Sequence, residues 1–363
     1  MKKIYLVGGA IRDKLLKINV TEKDYVVVGS SPDEMVKEGF IPVGKDFPVF
    51  INPKNSNEYA LARTERKAGV GYKGFQFYTG KKVTLEEDLK RRDLTINAIA
   101  EDENGNLYDP FNGIADLKNK IFRHVSQAFS EDPLRLIRLA RFSAKLPEFT
   151  IDNKTKILLK DIVSSEELLS ISGDRIFKEI KKTFGYKNVI KFFETLNELN
   201  ALNQVFDLNK DFDIKLLESF FKNNNQVDIS FNIYWLFFER KFGCFLKNKV
   251  NFSRKDIANV GKFFELRNSN VLSSLNSSER IDDFLIKISF YQDFNNLKLF
   301  SKLFILDNEN NTILVKKINL IASELDKILK NNKPQVDQCE NIELIKEKIK
   351  IHRVGLITKL MKS

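Results

Sequence analysis

The chain has 363 residues, with 60 Lys plus Arg against 49 Asp plus Glu and a formal net charge of +11. It is long enough for two or three domains with sizeable cores, and its basicity points to a polyanionic partner such as nucleic acid or a membrane surface. Its two cysteines, Cys244 and Cys339, stand far apart without CxxC spacing, which excludes a zinc ribbon or a disulfide framework and fits a reducing cytoplasm.

The first element is carried by "YLVGGAIRDKLL", Tyr5 to Leu16. A strand over Ile4 to Val7 runs into Gly8 and Gly9, and a short amphipathic helix follows with Arg12 in its first turn. One glycine would serve a tight turn. Two let the backbone approach a ligand closely, and a helix N-terminus with free N–H groups suits a phosphate. The spacing is neither GxGxxG nor a Walker loop. Arg12 and Asp13 also interrupt the apolar run after Lys2 and Lys3, so no signal peptide is expected, and no apolar stretch approaches the roughly 20 residues of a membrane span. A soluble cytoplasmic protein is expected.

Next comes "VTEKDYVVVGS", with Glu22 and Asp24 at the entry to a strand over Tyr25 to Val28. Residues two apart on a strand face the same side, so both carboxylates can hold one hard cation. A solvated turn before a strand is the plainer reading of the pair taken alone. Acids just after a Gly-Gly turn that cradles phosphate are what metal-assisted phosphoryl transfer requires, because the metal must touch both protein oxygens and substrate phosphates.

Further strands are expected at Phe47 to Ile51 and Tyr59 to Ala62, and Glu58 is either a third acid near the metal or a surface carboxylate. In "VTLEEDLKRRDLTINAIA", Thr84 and Glu87 form a capping box that starts a helix. Its Arg91, Arg92 and Asp93 are by pattern an ordinary charged run. "AIAEDENGNLYDPF" reads as a hairpin about Asn104 and Gly105. Seven of the eight prolines and eleven of the sixteen glycines precede residue 150, marking a turn-rich front part. From about Ile121 the periodicity is helical, in "LRLIRLARFSAKL", "DRIFKEIKKTF" and "NVIKFFETLNELNAL". Asp132 before Pro133 reads as an N-cap with proline at N1. At 100° per residue Arg135, Arg138 and Arg141 share one face, a basic stripe on an otherwise apolar helix.

In this order, "YLVGGAIRDKLL", "EKDYVVVGS", "GKDFPVF", "EYALARTERK", "LKRRDLTINAIA", "DPFNGIADL" and "FSEDPLRLIRLARF" closely resemble class II tRNA nucleotidyltransferases, the bacterial CCA-adding enzymes and their poly(A) polymerase relatives. The resemblance runs from residue 5 to about 142, with a weaker helical one to about 205, and "VVVGS" with "FPVF" looks most like the enterobacterial-type CCA-adding enzymes. It implies an α+β protein: a polymerase-beta-like α/β head over 1–115, a helical neck over 116–190 and a helical body and tail over 191–363. It implies transfer of CMP and AMP from CTP and ATP to a tRNA 3′ end, with Mg²⁺ on Glu22 and Asp24. Gly9, Arg12 and Arg92 would bind the nucleotide, Asp132, Arg135, Arg138 and Arg141 would read or bind it, and Asp93 and Asn97 would hold the local architecture. Glu22 departs from the family's usual DxD by one methylene. The segment from Arg63 to Val83 favours full CCA addition over CC addition, because that element is reduced in CC-adding relatives. A poly(A) polymerase, a partial CC- or A-adding enzyme and a non-catalytic RNA-binding protein are the alternatives. With only His124 and His352 in the chain, an HD hydrolase site of the enterobacterial type is not expected.

Overall fold

The computed structural model describes residues 2–20, 22–43, 49–67, 75–223, 228–331 and 341–362. Strands β1 (Lys3–Val7) and β2 (Asp24–Val28) pair antiparallel with Val7 opposite Asp24, and the short helix α1 (Gly9–Leu15) follows β1. The run of valines in β2 is apolar on both sides because both faces of the sheet are covered. Val26 packs with Tyr5, Val7, Ala98 and Ala100, while Val27 packs with Met35, Phe50, Tyr59 and Leu61. Met35 comes from α2 (Pro32–Lys37), which starts at a Ser31/Glu34 capping box.

Strands β3 (Ile41–Val43), β4 (Val49–Ile51) and β5 (Glu58–Leu61) continue the sheet, β5 parallel to β2 with Glu58 beside Asp24. Next are a separate antiparallel hairpin of β6 (Arg63–Lys67) and β7 (Phe75–Thr79), then α3 (Leu85–Lys90). The expected capping box is formed, with the Glu87 N–H 3.2 Å from Thr84 Oγ1 and the Thr84 N–H 2.8 Å from Glu87 Oε2. Strands β8 (Ala100–Glu101) and β9 (Leu107–Tyr108) make the expected hairpin, with Gly105 at φ 84°. Among the described residues the sheet has seven strands in the order β3-β4-β5-β2-β1-β8-β9. Expected strand limits hold to within one residue at β1, β2 and β5. At β4 the described part is Val49–Ile51; Phe47 and Pro48, with most of "GKDFPVF", lie outside the described residues, as do residues 68–74 of the Arg63 to Val83 segment.

After α4 (Gly113–Asn119) the described chain is mainly helical, with two departures. Within the region read as all-helical, strands β10 (Ile121–Phe122) and β11 (Thr150–Ile151) form a short parallel ladder, and β12 (Phe206–Leu208) and β13 (Cys244–Leu246) a two-stranded sheet. Helices α5 (Leu134–Lys145), α6 (Asn153–Ser164), α7 (Gly173–Thr183) and α8 (Ile190–Glu198) follow, with α5 packed against α7 and α8. The helical periodicity of "NVIKFFETLNELNAL" is interrupted where Asn200 turns left-handed at φ 57°, and α9 (Leu202–Val205) follows, before α10 (Ile214–Asn223).

The chain forms two compact units, Met1–Glu218 with Phe245–Val250, and Ser219–Cys244 with Asn251–Ser363. The second contains α11 (Phe231–Phe242), α12 (Arg254–Asn268), α13 (Ser278–Lys287), α14 (Asn295–Asp307), α15 (Thr312–Asn331) and α16 (Ile342–Lys362). Its core is aromatic, with the rings of Phe237 and Phe304 5.6 and 5.0 Å from that of Phe263. The buried Asp282 accepts from Arg353 at 3.0 and 3.2 Å and so ties α13 to α16. Cys244 is a buried free thiol, and Cys339 lies outside the described residues. No described helix is long and apolar enough to cross a membrane.

Candidate active site

A cavity of about 590 Å³ opens in the first unit, walled by the turn after β1, the residues that follow α3, one side of α5 along its whole length and one side of α7. The double glycine sits at its floor. Gly8 has φ 71° and ψ −132°, a conformation L side chains avoid, and a Cβ there would lie 2.9 Å from Arg92 Nη1. Gly9 faces the Arg12 guanidinium instead. The turn therefore leaves room for two arginines.

Arg12 is buried at 3% exposure, donates to Asn97 Oδ1 at 2.7 Å and to Asp13 Oδ1 at 2.9 Å, and lies over the Phe142 ring. Asn97 donates onward to Asp93 at 2.9 Å, and Asp93 accepts from Arg138 at 2.8 and 2.9 Å. Glu179 takes Arg138 at 3.6 Å and also Arg141, which reaches the Tyr186 hydroxyl at 3.1 Å. The result is a continuous chain of polar contacts along the cavity wall. The arginine stripe of α5 thus meets acids and the cavity rather than solvent: Arg135 and Arg141 are buried, and the Arg138 side chain is 36% exposed. Burial alone would raise the Asp93 pKa; Arg138 beside it, with the Asn97 amide and the Leu94 N–H, outweighs that and holds the carboxyl well below the usual range.

Glu22 and Asp24 both border the cavity. They are not an i, i+2 pair on one strand, because β2 begins only at Asp24, where pairing with Val7 ends as Gly8 turns the chain away. Glu22 precedes the strand, exposed, 3.9 Å from Lys182. Asp24 has exposed surface, yet the cavity walls desolvate its carboxyl and push its pKa up; Arg92 opposes the shift and Glu22 adds to it. Two hard oxygen donors facing a cavity lined with cations suit a divalent ion that completes its shell with water and phosphate oxygens. Glu58 is Asp24's neighbour in register but does not border the cavity, and among the described residues no three His, Cys, Asp or Glu side chains cluster to hold a metal.

Asp132 is extended, its Oδ1 accepts the Leu134 N–H at 3.2 Å and its carbonyl accepts the Arg135 N–H, while Pro133 already has helical angles, so Asp132 caps the helix with proline in its first position, as expected. Its Oδ2 accepts from Arg175 at 2.8 Å. Arg135 directs Nη1 to the Ala128 carbonyl at 2.7 Å and Nη2 to the Arg91 carbonyl at 2.6 Å. All nine expected site residues border the cavity: Gly9, Arg12, Glu22, Asp24, Arg92, Asp132, Arg135, Arg138 and Arg141. Sequence reasoning missed α7. Arg175 and Lys182, seven residues apart on α7, and Tyr186 just past its end also border the cavity, and the seven-residue spacing of the two cations on an amphipathic helix was the available signal. His124 is elsewhere, its Nδ1 2.8 Å from Thr155 Oγ1.

Residues 4–123 match the family model of the poly A polymerase head domain, and residues 148–212 that of the probable RNA and SrmB-binding site of polymerase A. The chain is 55% identical over 204 residues to a CCA-adding enzyme of Coxiella burnetii strain RSA 331, which covers 56% of this chain and 54% of that protein. It is 53% identical over 203 residues to a multifunctional CCA protein of Janthinobacterium sp. strain Marseille, covering 56% and 49%. The chain thus spans about half the length of the curated relatives it matches. Its fold is similar to that of a Bacillus stearothermophilus CCA-adding enzyme in complex with CTP, with a TM-score of 0.69 at 20% identity over 99% of this chain and 93% of that one. A Thermotoga maritima CCA-adding enzyme complexed with tRNA gives 0.66 at 20% identity, over 99% and 91%. The sequence over residues 4–123 is thus similar to the head of the class II nucleotidyltransferases, the CCA-adding enzymes and bacterial poly(A) polymerases, a family whose members generally use a divalent metal, and the fold of the chain is similar to theirs.

Proposed function

We propose that this protein adds CCA to the 3′ end of tRNA in the cytoplasm, consuming CTP and ATP and releasing pyrophosphate. The observation that carries the reading is the meeting, in one cavity, of Glu22 and Asp24 with the Gly8-Gly9 turn, Arg92 and the Asp132 cluster, in a chain 55% identical over 204 residues to a CCA-adding enzyme. Glu22 and Asp24 would hold Mg²⁺, which when bound eases deprotonation of the attacking hydroxyl and neutralises charge on the leaving pyrophosphate. Gly9, Arg12 and Arg92 take the nucleotide's phosphates or ribose. Cytosine and adenine both show an amino donor beside a ring-nitrogen acceptor, so one carboxylate and one guanidinium can read either. Asp132 accepts from the amino group, with Arg135 one helical turn along and Arg175 in contact as the donors at its side. Uracil and guanine present a carbonyl and an N–H there and leave buried groups mismatched, at roughly 1–3 kcal/mol each. Arg138 and Arg141 brace this wall through Glu179. In this reading 1–115 is the catalytic head, 116–190 the neck, and 191–363 the tRNA-binding body and tail.

The test is incubation of purified protein and Mg²⁺ with tRNA ending in the discriminator base, with CTP alone, ATP alone and both. Full CCA only when both are present is the expected product. A long A tract from ATP alone would make it a poly(A) polymerase, and products stopping at CC or requiring a CC end would make it a partial enzyme.

A further inference from the structure

The residues before the cavity arginines contain a carboxylate that touches no ligand space. Asp88, on α3, is fully buried and does not border the cavity. Its Oδ1 accepts from Arg91 Nε at 3.0 Å, from Arg91 Nη2 at 2.7 Å and from the Arg63 main-chain N–H at 3.3 Å. Its Oδ2 accepts from Arg92 Nη2 at 3.1 Å. Arg63, Arg91 and Arg92 all border the cavity, and Arg63 begins the β6–β7 hairpin. On its other edge the Arg92 guanidinium rests against Gly8, where a Cβ would stand 2.9 Å from Nη1. The Arg92 Nε is buried and has no hydrogen-bond partner among the described residues. A planar guanidinium fixed at one nitrogen has its remaining donors oriented as well.

We infer that Asp88 is a positioning residue, the buried charge that sets Arg92 for nucleotide and ties the base of the β6–β7 hairpin to the same point. The inference rests on the reading of the cavity as a nucleotide site. Gly8 supplies the backstop and Asp88 the clamp, so the Gly-Gly turn and the "DLKRRD" segment form one device although about eighty residues separate them. Burial alone would neutralise an isolated carboxyl; Arg91 and Arg92 outweigh it and keep Asp88 ionised.

The experiment is a double-mutant cycle read by equilibrium binding of ATP and of CTP with Mg²⁺ and no tRNA, below the melting temperature of every variant. Losing a charge-assisted contact that orients Arg92 should make Asp88→Asn bind nucleotide about tenfold more weakly. Arg92→Ala should weaken binding too, and Asp88→Asn should then add little in the Arg92→Ala background, because it acts through Arg92. Wild-type affinity in Asp88→Asn, or losses that multiply in the double variant, would overturn the inference and leave the nucleotide reading standing. A wild-type protein that binds neither nucleotide would overturn both. If Asp88→Asn does not fold, Asp88→Asn/Arg91→Gln removes the stranded cation; measured against Arg91→Gln alone, it should show the same loss, and equal affinity would sink the idea.

Discussion

Asp93 follows the two cavity arginines and is almost wholly shielded from water, accepting from the Leu94 N–H, the Asn97 amide and Arg138. Its folded-state pKa is depressed, so its contribution to stability is fully present above the unfolded carboxyl value near 4 and is lost as pH falls from there toward the folded value. Asp93→Asn removes that contribution. The cost at neutral pH should be less than the roughly 3–5 kcal/mol of a fully buried pair, since the Arg138 side chain is over a third exposed. The gap in melting temperature between wild type and Asp93→Asn should be widest at pH 7 and 5 and shrink by pH 3. A gap that stays constant to pH 3 would mean that Asp93 titrates normally.

Helix α7 adds residues from outside the head motifs to the cavity wall, and its start is held tightly. A Cβ on Gly173 would stand 2.4 Å from the Lys249 carbonyl oxygen and 2.5 Å from that of Asn248, main-chain atoms unable to swing aside as a side chain would. The Asn248 amide further secures this corner by donating to the carbonyls of Leu169 and Ile171. Gly173→Ala should therefore cost about 1–3 kcal/mol by overpacking and displace the helix that carries Arg175 and Lys182. We expect a lower melting temperature together with a raised KM for nucleotide in the folded enzyme; an unchanged melting temperature would refute the tight packing. The same helix marks the limit of what the sequence made legible. Strands such as β2 were readable because continuous β-branched runs and turn residues act locally, and the Thr84 cap because its partner is three residues away. The α5 arginine stripe was readable as geometry, but not the acids that neutralise it, since Asp93 and Glu179 arrive from about forty residues to either side. Glu22 was misplaced for a similar reason: where β2 starts is decided by β1 and the turn at Gly8, not by the spacing of the two acids.

On the proposed reading, the net charge of +11 and the acids of the cavity have different tasks over the whole molecule, which would separate affinity from chemistry. If tRNA is held mainly through its phosphates, binding releases counterions and must weaken steeply with salt. For six to ten phosphate contacts the affinity should fall by roughly 10³–10⁵ between 50 and 200 mM salt. Asp24 borders the cavity at one point and carries the wrong sign to hold a phosphate unaided. On the proposed reading, Asp24→Ala should therefore leave both tRNA affinity and its salt slope nearly unchanged and abolish nucleotide incorporation, since a metal-holding carboxylate would serve the chemical step. Glu22→Ala should behave the same way with a smaller loss, as its exposed position before β2 leaves it less fixed. Gel-shift titrations of tRNA at four salt concentrations, run beside incorporation assays on the same preparations, measure both quantities. Near-normal incorporation by Asp24→Ala would remove the metal role from these acids. A large fall in tRNA affinity at constant salt would show instead that Asp24 shapes the RNA-binding surface.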